Sequence, residues 1–137
     1  MAHLSVIITT AERKVFESDS IAQITLPTTS GEVTILPNHV PLMSVLSIGE
    51  VRLAQKDGTK ADIFVNGGIV QLSNNHLEIL ATIAEHADEL DTAKIEEAKR
   101  RAEKLLQEQP VDVDIAQVEA ALKQELVKEK IVQRRHR

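Results

Sequence analysis

The sequence predicts an α+β protein, in which a sandwich or barrel of short β-strands is followed by an antiparallel two-helix hairpin. Three observations predict it. Up to Ala84, apolar residues alternate with polar ones in short runs separated by turn residues. From Glu85 onward the glycines disappear and 13 acidic and 11 basic residues interleave. Two apolar stripes at helical spacing then flank Pro110. The boundary expected from this change of character divides the chain into residues 1–84 and 85–137.

Each strand follows from a period of two, which buries one face and wets the other. Leu4, Val6 and Ile8 alternate, as do Ala22, Ile24 and Leu26, and Val51 and Leu53 alternate with Glu50 and Arg52. In the last run Leu77, Ile79, Ala81 and Ile83 point one way, with His76, Glu78 and Thr82 between them. Turn signals separate the runs at Ser30-Gly31, Gly49, Asp57-Gly58, Gly67-Gly68 and Asn74-Asn75. Asp57-Gly58 is expected to form a two-residue type I′ hairpin, in which both central residues take positive φ. Gly67-Gly68 reads as a bulge or a close backbone approach. Many short strands at this spacing make a sandwich or a barrel.

The helices follow from their caps and stripes. Asp91 is placed to cap a helix whose apolar stripe is Ile95, Ala98, Ala102, Leu105 and Leu106, and Pro110 ends it. Asp114 opens a second helix with Gln117 three residues on, a capping-box spacing. Its stripe is Ile115, Val118, Leu122 and Leu126, with Val127 and Ile131 drifting onto the next face. A short connection between helices of similar length makes an antiparallel hairpin.

Composition narrows the function. With 137 residues the chain is one domain, or one small domain with an appendage. Its aromatic content is 1%, Phe16 and Phe64, so the core is aliphatic and single-stranded nucleic acid finds few stacking platforms. A net charge of −5 argues against any phosphate-backbone partner. There is no cysteine for disulfides or thiolate chemistry, no secretory signal pattern and no apolar run long enough to span a bilayer, so the sequence reads as soluble. The five histidines lie outside metal-ligand spacing, so no metal is expected, and no nucleophile elbow or phosphate loop occurs.

One stretch stands apart. In "LPNHVPL", Pro37 and Pro41 bracket Asn38-His39, and each proline fixes φ and removes a donor, so neither a helix nor a central strand passes through. The segments "SGEVTILPNHVPLMSVLSIGEVRL", "VNGGIVQLSNNHLEILATIAE", "ELDTAKIEEAKRRAEKL" and "DVDIAQVEAAL" together resemble the epsilon subunit of bacterial F-type ATP synthases. The likeness runs from Leu4 to Arg135 in order.

This resemblance implies a ten-stranded β-sandwich and a two-helix C-terminal domain. It implies a non-catalytic rotor component of the central stalk, bound to the gamma subunit and resting on the c-subunit ring, coupling proton flow to ATP synthesis. Such a chain is peripheral to the cytoplasmic side of the bacterial membrane and meets it only through the complex. In the family the loops carrying Gly31-Glu32 and residues 37–41 lie at the ring-facing end, which makes Gly31, Glu32 and His39 ring-facing candidates. The helical hairpin of the family opens along gamma and blocks ATP hydrolysis at the alpha and beta subunits. Here that role falls to the basic end, Lys130, Arg134 and Arg135, with Arg137 beyond them.

Some family members bind ATP through Ile/Leu-Asp-x-x-Arg-Ala at the start of the first helix. This chain has Leu90, Asp91 and then Lys94-Ile95 in those places. Lysine keeps the charge but loses the planar fork that grips phosphate. Regulatory ATP binding is therefore expected to be weak or absent, and no other cofactor is expected. A stand-alone β-sandwich binding module with a helical oligomerisation hairpin is the alternative, and a small enzyme with a site across the sandwich is a third reading.

Overall fold

The computed structural model describes residues 2–135 and divides between Ala87 and Asp88 into two compact units. The first holds seven strands: β1 (Leu4–Thr9), β2 (Lys14–Thr28), β3 (Gly31–Ile35), β4 (Leu42–Leu46), β5 (Gly49–Gln55), β6 (Lys60–Ser73) and β7 (His76–His86). They run in the order β1-β7-β6-β4-β2-β3, β5 bridges β2 and β6, and β1 also pairs with β2. All ladders are antiparallel except β1–β7.

The count of seven corrects the expected ten. Three strands are long and change partners or bend along their length. β2 pairs with β1 up to Ile21 and with β3 and β5 beyond it. β6 pairs with β5 over residues 60–65 and with β4 over 68–72, and β7 bends beside it, only its first half meeting β1. Cutting these three strands at their bends would turn seven continuous strands into ten segments.

The bends also correct the predicted alternation. A bulge between Ile21 and Gln23 lets Ile21 and Ile24 both face inward and leaves Ala22 half-exposed. In β7 Leu77, Ile79 and Ala81 are buried as expected, but Ala84 rather than Ile83 takes the next inward place. The β6–β7 ladder has no bridge between Gly67 and Thr82, although its register is the same on both sides. Leu4, Val6, Ile8, Leu26, Ile35 and Ile63, each fully or almost fully buried, belong to the aliphatic core.

The turns exchange roles relative to expectation. Asn74 and Asn75 both take left-handed φ, 50° and 64°, between the paired Ser73 and His76, which is the two-residue hairpin geometry expected of Asp57-Gly58. At the latter only Gly58 has positive φ, and Gln55 and Thr59 close a three-residue turn instead. Asp57 is spent on Thr59, whose side chain and backbone N–H hold its carboxyl below the usual range.

β7 continues past the expected boundary. His86 pairs with Ile63, its Nε2 bonds the Val15 carbonyl, and its ring tilts against Phe16. The first unit therefore ends at Ala87, three residues beyond Ala84.

The second unit holds α1 (Thr92–Glu108) and α2 (Ile115–Arg135) after a short 3-10 turn, Ala87–Glu89, that straddles the boundary. Asp91 caps α1 by accepting the Ala93 and Lys94 N–H groups at 2.9 and 3.4 Å, and Asp114 accepts that of Ala116 at 3.0 Å. α1 ends at Gln109, which takes the left-handed conformation and returns its N–H to Leu105. Ile95 and Ala102 of α1, and Val118 and Ile131 of α2, are buried. Leu126 is 40% exposed, against expectation, because the inward face passes instead through Glu125, Lys128 and Glu129, whose side chains are about one-fifth exposed or less.

Candidate functional site

The proline-bracketed stretch resolves into a turn whose residues each have a reason. Leu36 accepts the His39 N–H at 3.2 Å, Pro37 occupies the second position and Asn38 the third with φ 67°. That is a type II turn, which wants proline second and a left-handed residue third. Paired amides fasten it to the β6–β7 turn. Asn38 N–H donates to Asn75 Oδ1 at 2.6 Å, and Asn75 Nδ2 donates to Asn38 Oδ1 at 3.1 Å. The His39 ring donates from Nδ1 to the Val40 carbonyl at 2.8 Å.

Gly31 and Glu32 open β3 and are exposed, while the type II turn follows its other end. Five extended residues separate the two by about 13 Å. Glu32 and the type II turn therefore stand at the two ends of one strand. Glu32 is joined across β2 to Arg52, Oε1 to Nη2 at 2.9 Å.

A surface that periodicity did not single out lies on the outer face of β4, β6 and β7. Val45 pairs with Ile69 and Ile69 with Leu80, so the three form one row, and Met43 stands two residues along on the same face. All four are half or more exposed. Beside this row a trough of about 1080 Å³ crosses to β1 and β2, with Ile7 and Met43 in its lining and Glu17, Asp19 and Glu78 supplying charge. The signal was present in the sequence: Val45-Leu46, Ile69-Val70 and Ile79-Leu80 are adjacent apolar pairs, each breaking the period of two where a strand is apolar on both faces.

Ion pairs hold the helical unit. Lys99 of α1 donates to Glu129 of α2 at 3.0 Å, and Arg135 near the end of α2 meets Asp88 just before α1. These two pairings make the helices antiparallel. The bond to Glu129 raises the Lys99 ammonium above its ordinary range, and the reciprocal bond lowers the Glu129 carboxyl. Of the nucleotide candidates, Asp91 has its carboxylate committed as the α1 cap, Leu90 is half-buried and Lys94 exposed. Of the basic end, Lys130 and Arg134 are exposed and Arg135 is engaged with Asp88, while Arg137 lies outside the described residues. Among the described residues no three His, Asp or Glu side chains group to hold a metal ion, and no helix is long and apolar enough to cross a membrane.

The fold and these surfaces define a two-part protein, a β-sandwich with an apolar outer row and a helical hairpin pinned by charge. Residues 3–87 match the family described as ATP synthase, delta/epsilon chain, beta-sandwich domain, and residues 88–132 match its long alpha-helix domain. The chain belongs to the ATP synthase delta/epsilon chain family. It is 43% identical over 123 residues to the ATP synthase epsilon chain of Bacillus licheniformis, covering 90% of this chain and 92% of that one. It is 38% identical over 128 residues to the epsilon chain of Symbiobacterium thermophilum, covering 93% and 91%. Its fold resembles a chain in the cryo-EM structure of Euglena gracilis mitochondrial ATP synthase, OSCP/F1/c-ring, with TM-score 0.83, 23% identity and coverage of 95% and 81%. A chain of the Tetrahymena thermophila mitochondrial ATP synthase central stalk and c-ring matches with TM-score 0.63, 17% identity and coverage of 94% and 96%.

Proposed function

We propose that the chain acts as a non-catalytic epsilon subunit in the central stalk of an F-type ATP synthase, binding gamma and the c-ring and coupling proton flow to ATP synthesis. The observation that carries this reading is the apolar row of Val45, Ile69 and Leu80 on rigid paired strands, in a family whose relatives are ATP synthase epsilon chains. Rows of this kind mark protein contacts, and the reading assigns this one to gamma. Gly31 and Glu32 at the start of β3, and His39 in the turn beyond its other end, take the ring-facing role. The chain sits at the cytoplasmic side of the membrane as a peripheral protein, held there by the complex.

The helical hairpin is the regulatory part. Opened out, α2 carries Lys130, Arg134 and Arg135 toward acidic surface of the catalytic alpha and beta subunits and slows ATP hydrolysis. Regulatory ATP binding at Leu90, Asp91 and Lys94 is weak or absent, because Asp91 already serves the helix and Lys94 lacks a guanidinium fork.

Co-purification with gamma tests the reading. Changing Ile69 and Leu80 to Asp places charge on the row without altering the buried face. Loss of gamma from the purified complex, with the sandwich still folded by circular dichroism, is the expected result. Undiminished gamma binding would return the chain to the class of stand-alone binding modules.

A further inference from the structure

Glu32 and Arg52 stand on β3 and β5, the two neighbours of β2. Glu32 is opposite Pro27 and Arg52 opposite Thr25, so both side chains rise from one face, two residues apart along β2. Arg52 Nη2 lies 2.9 Å from Glu32 Oε1, and its Nη1 lies 3.9 Å from Glu50 Oε1. The Glu50 side chain is 10% exposed and that of Glu32 59%. One guanidinium thus spans a nearly buried carboxylate and an exposed one. A planar fork can hold two such partners in fixed directions, whereas an ammonium is a point charge.

The strands give this arrangement its stiffness. The three strands are joined by ladders on both sides of β2, and Thr25 and Thr34 hydroxyls bond at 3.0 Å next to the pair. An exposed ion pair adds little to folding stability on its own. Its consequence lies in direction: without Arg52, Glu32 is free to sample several rotamers beside the Thr29-Ser30 turn.

We propose that Arg52 is a positioning residue for the ring contact, holding the Glu32 carboxylate toward a hydrogen-bond donor of the c-ring. This rests on the reading above that Glu32 faces the ring. Positioning and simple charge make opposite predictions. Removing Arg52 takes a positive charge from the face and makes it more negative, so a contact governed by net charge toward a cation would strengthen. A contact governed by orientation weakens.

The test is binding of the reconstituted gamma–epsilon pair to detergent-purified c-ring, with thermal melting of the epsilon chain alongside. Glu32→Gln is expected to weaken ring binding about 10-fold, and Arg52→Gln about 5-fold at unchanged melting temperature, in the range of charge-assisted contacts. Arg52→Lys, which keeps the charge without the fork, is expected to fall between Arg52→Gln and the unaltered chain. If Glu32→Gln binds like the unaltered chain, the ring-facing reading itself fails. If Glu32→Gln weakens binding while Arg52→Gln leaves it equal or tighter, or weakens it only with a lowered melting temperature, the positioning role is overturned and the reading stands.

Discussion

Gly68 lies where β6 comes closest to β7. A Cβ built there would sit 2.2 Å from the Leu80 carbonyl oxygen and 2.8 Å from the Ala81 Cα, and its φ of 135° belongs to glycine. Both contacts are backbone, so no side chain can swing aside. Gly68→Ala is expected to destabilise the sandwich by about 2–4 kcal/mol, combining strain with displacement of a ladder. Urea unfolding of the chain measures it, and a loss under about 0.5 kcal/mol, the size of an ordinary surface change, would show that the ladder yields easily. This close approach was legible because paired glycines inside a strand pattern have few other uses. The exchange between Asp57-Gly58 and Asn74-Asn75 was not, since either dipeptide tolerates left-handed φ and the choice depends on which strand ends face each other. The Asn38–Asn75 amide pair was beyond reach for the same reason: its members are 37 positions apart. Likewise "LPNH" announced a stiff turn, but only the fold shows that the Glu32 end of β3 is the opposite one.

At the scale of elements, the two helices differ in how well sequence described them. α1 keeps its predicted stripe because Asp91 and Pro110 fix its ends and most of its charges face water, Lys99 excepted. In α2 the stripe was read through Leu126, whereas the helix turns Glu129 toward Lys99, so an ion pair occupies a place assigned to an aliphatic residue. That pair makes the hairpin sensitive to extremes of pH. The Glu129 carboxyl is lowered by Lys99, so its contribution is present above the ordinary carboxylate range and is lost as pH falls through the lowered value. The Lys99 ammonium is raised, so its contribution is present below the ordinary lysine range and is lost as pH rises through the raised value. Glu96 and Glu103 of α1 share the field around Lys99 and act in the same direction on it. Protection factors along α1 and α2, with the intrinsic pH dependence of amide exchange divided out, should therefore fall in acid for the natural chain, and Glu129→Gln should remove most of that fall; an unchanged acid profile would assign it to other carboxylates. Gln109 provides an independent handle. It holds φ 44° at the α1 C-terminus, where glycine carries no Cβ penalty, so Gln109→Gly should stabilise the hairpin by about 0.5–1 kcal/mol. Helix melting followed at 222 nm would register the change, and a lower midpoint would count against it.

Across the whole molecule, the proposed function assigns assembly to the first unit and regulation to the second, and the boundary at Ala87 moves the cut that tests this. A chain ending at Glu85 would lose His86, and with it the bond to the Val15 carbonyl and the last pairing of β7 with Ile63. A chain ending at Ala87 keeps the whole sandwich, its core, the apolar row, and the Glu32–Arg52 pair. That shorter chain should fold, bind gamma and support ATP synthesis, while hydrolysis by the complex should rise because α2 is gone. Arg135 refines the expectation, for it pairs with Asp88 in the folded hairpin and also belongs to the end proposed to inhibit. Asp88→Ala frees Arg135 without touching the basic end, so it should deepen inhibition. Arg134 and Arg135 changed together to Glu should relieve it, and the relief should shrink as salt rises and screens both contacts. The readout is ATP hydrolysis by the reconstituted complex against salt concentration. Were hydrolysis to stay suppressed in the complex carrying the chain cut at Ala87, inhibition would reside in the sandwich, and the hairpin would need another purpose.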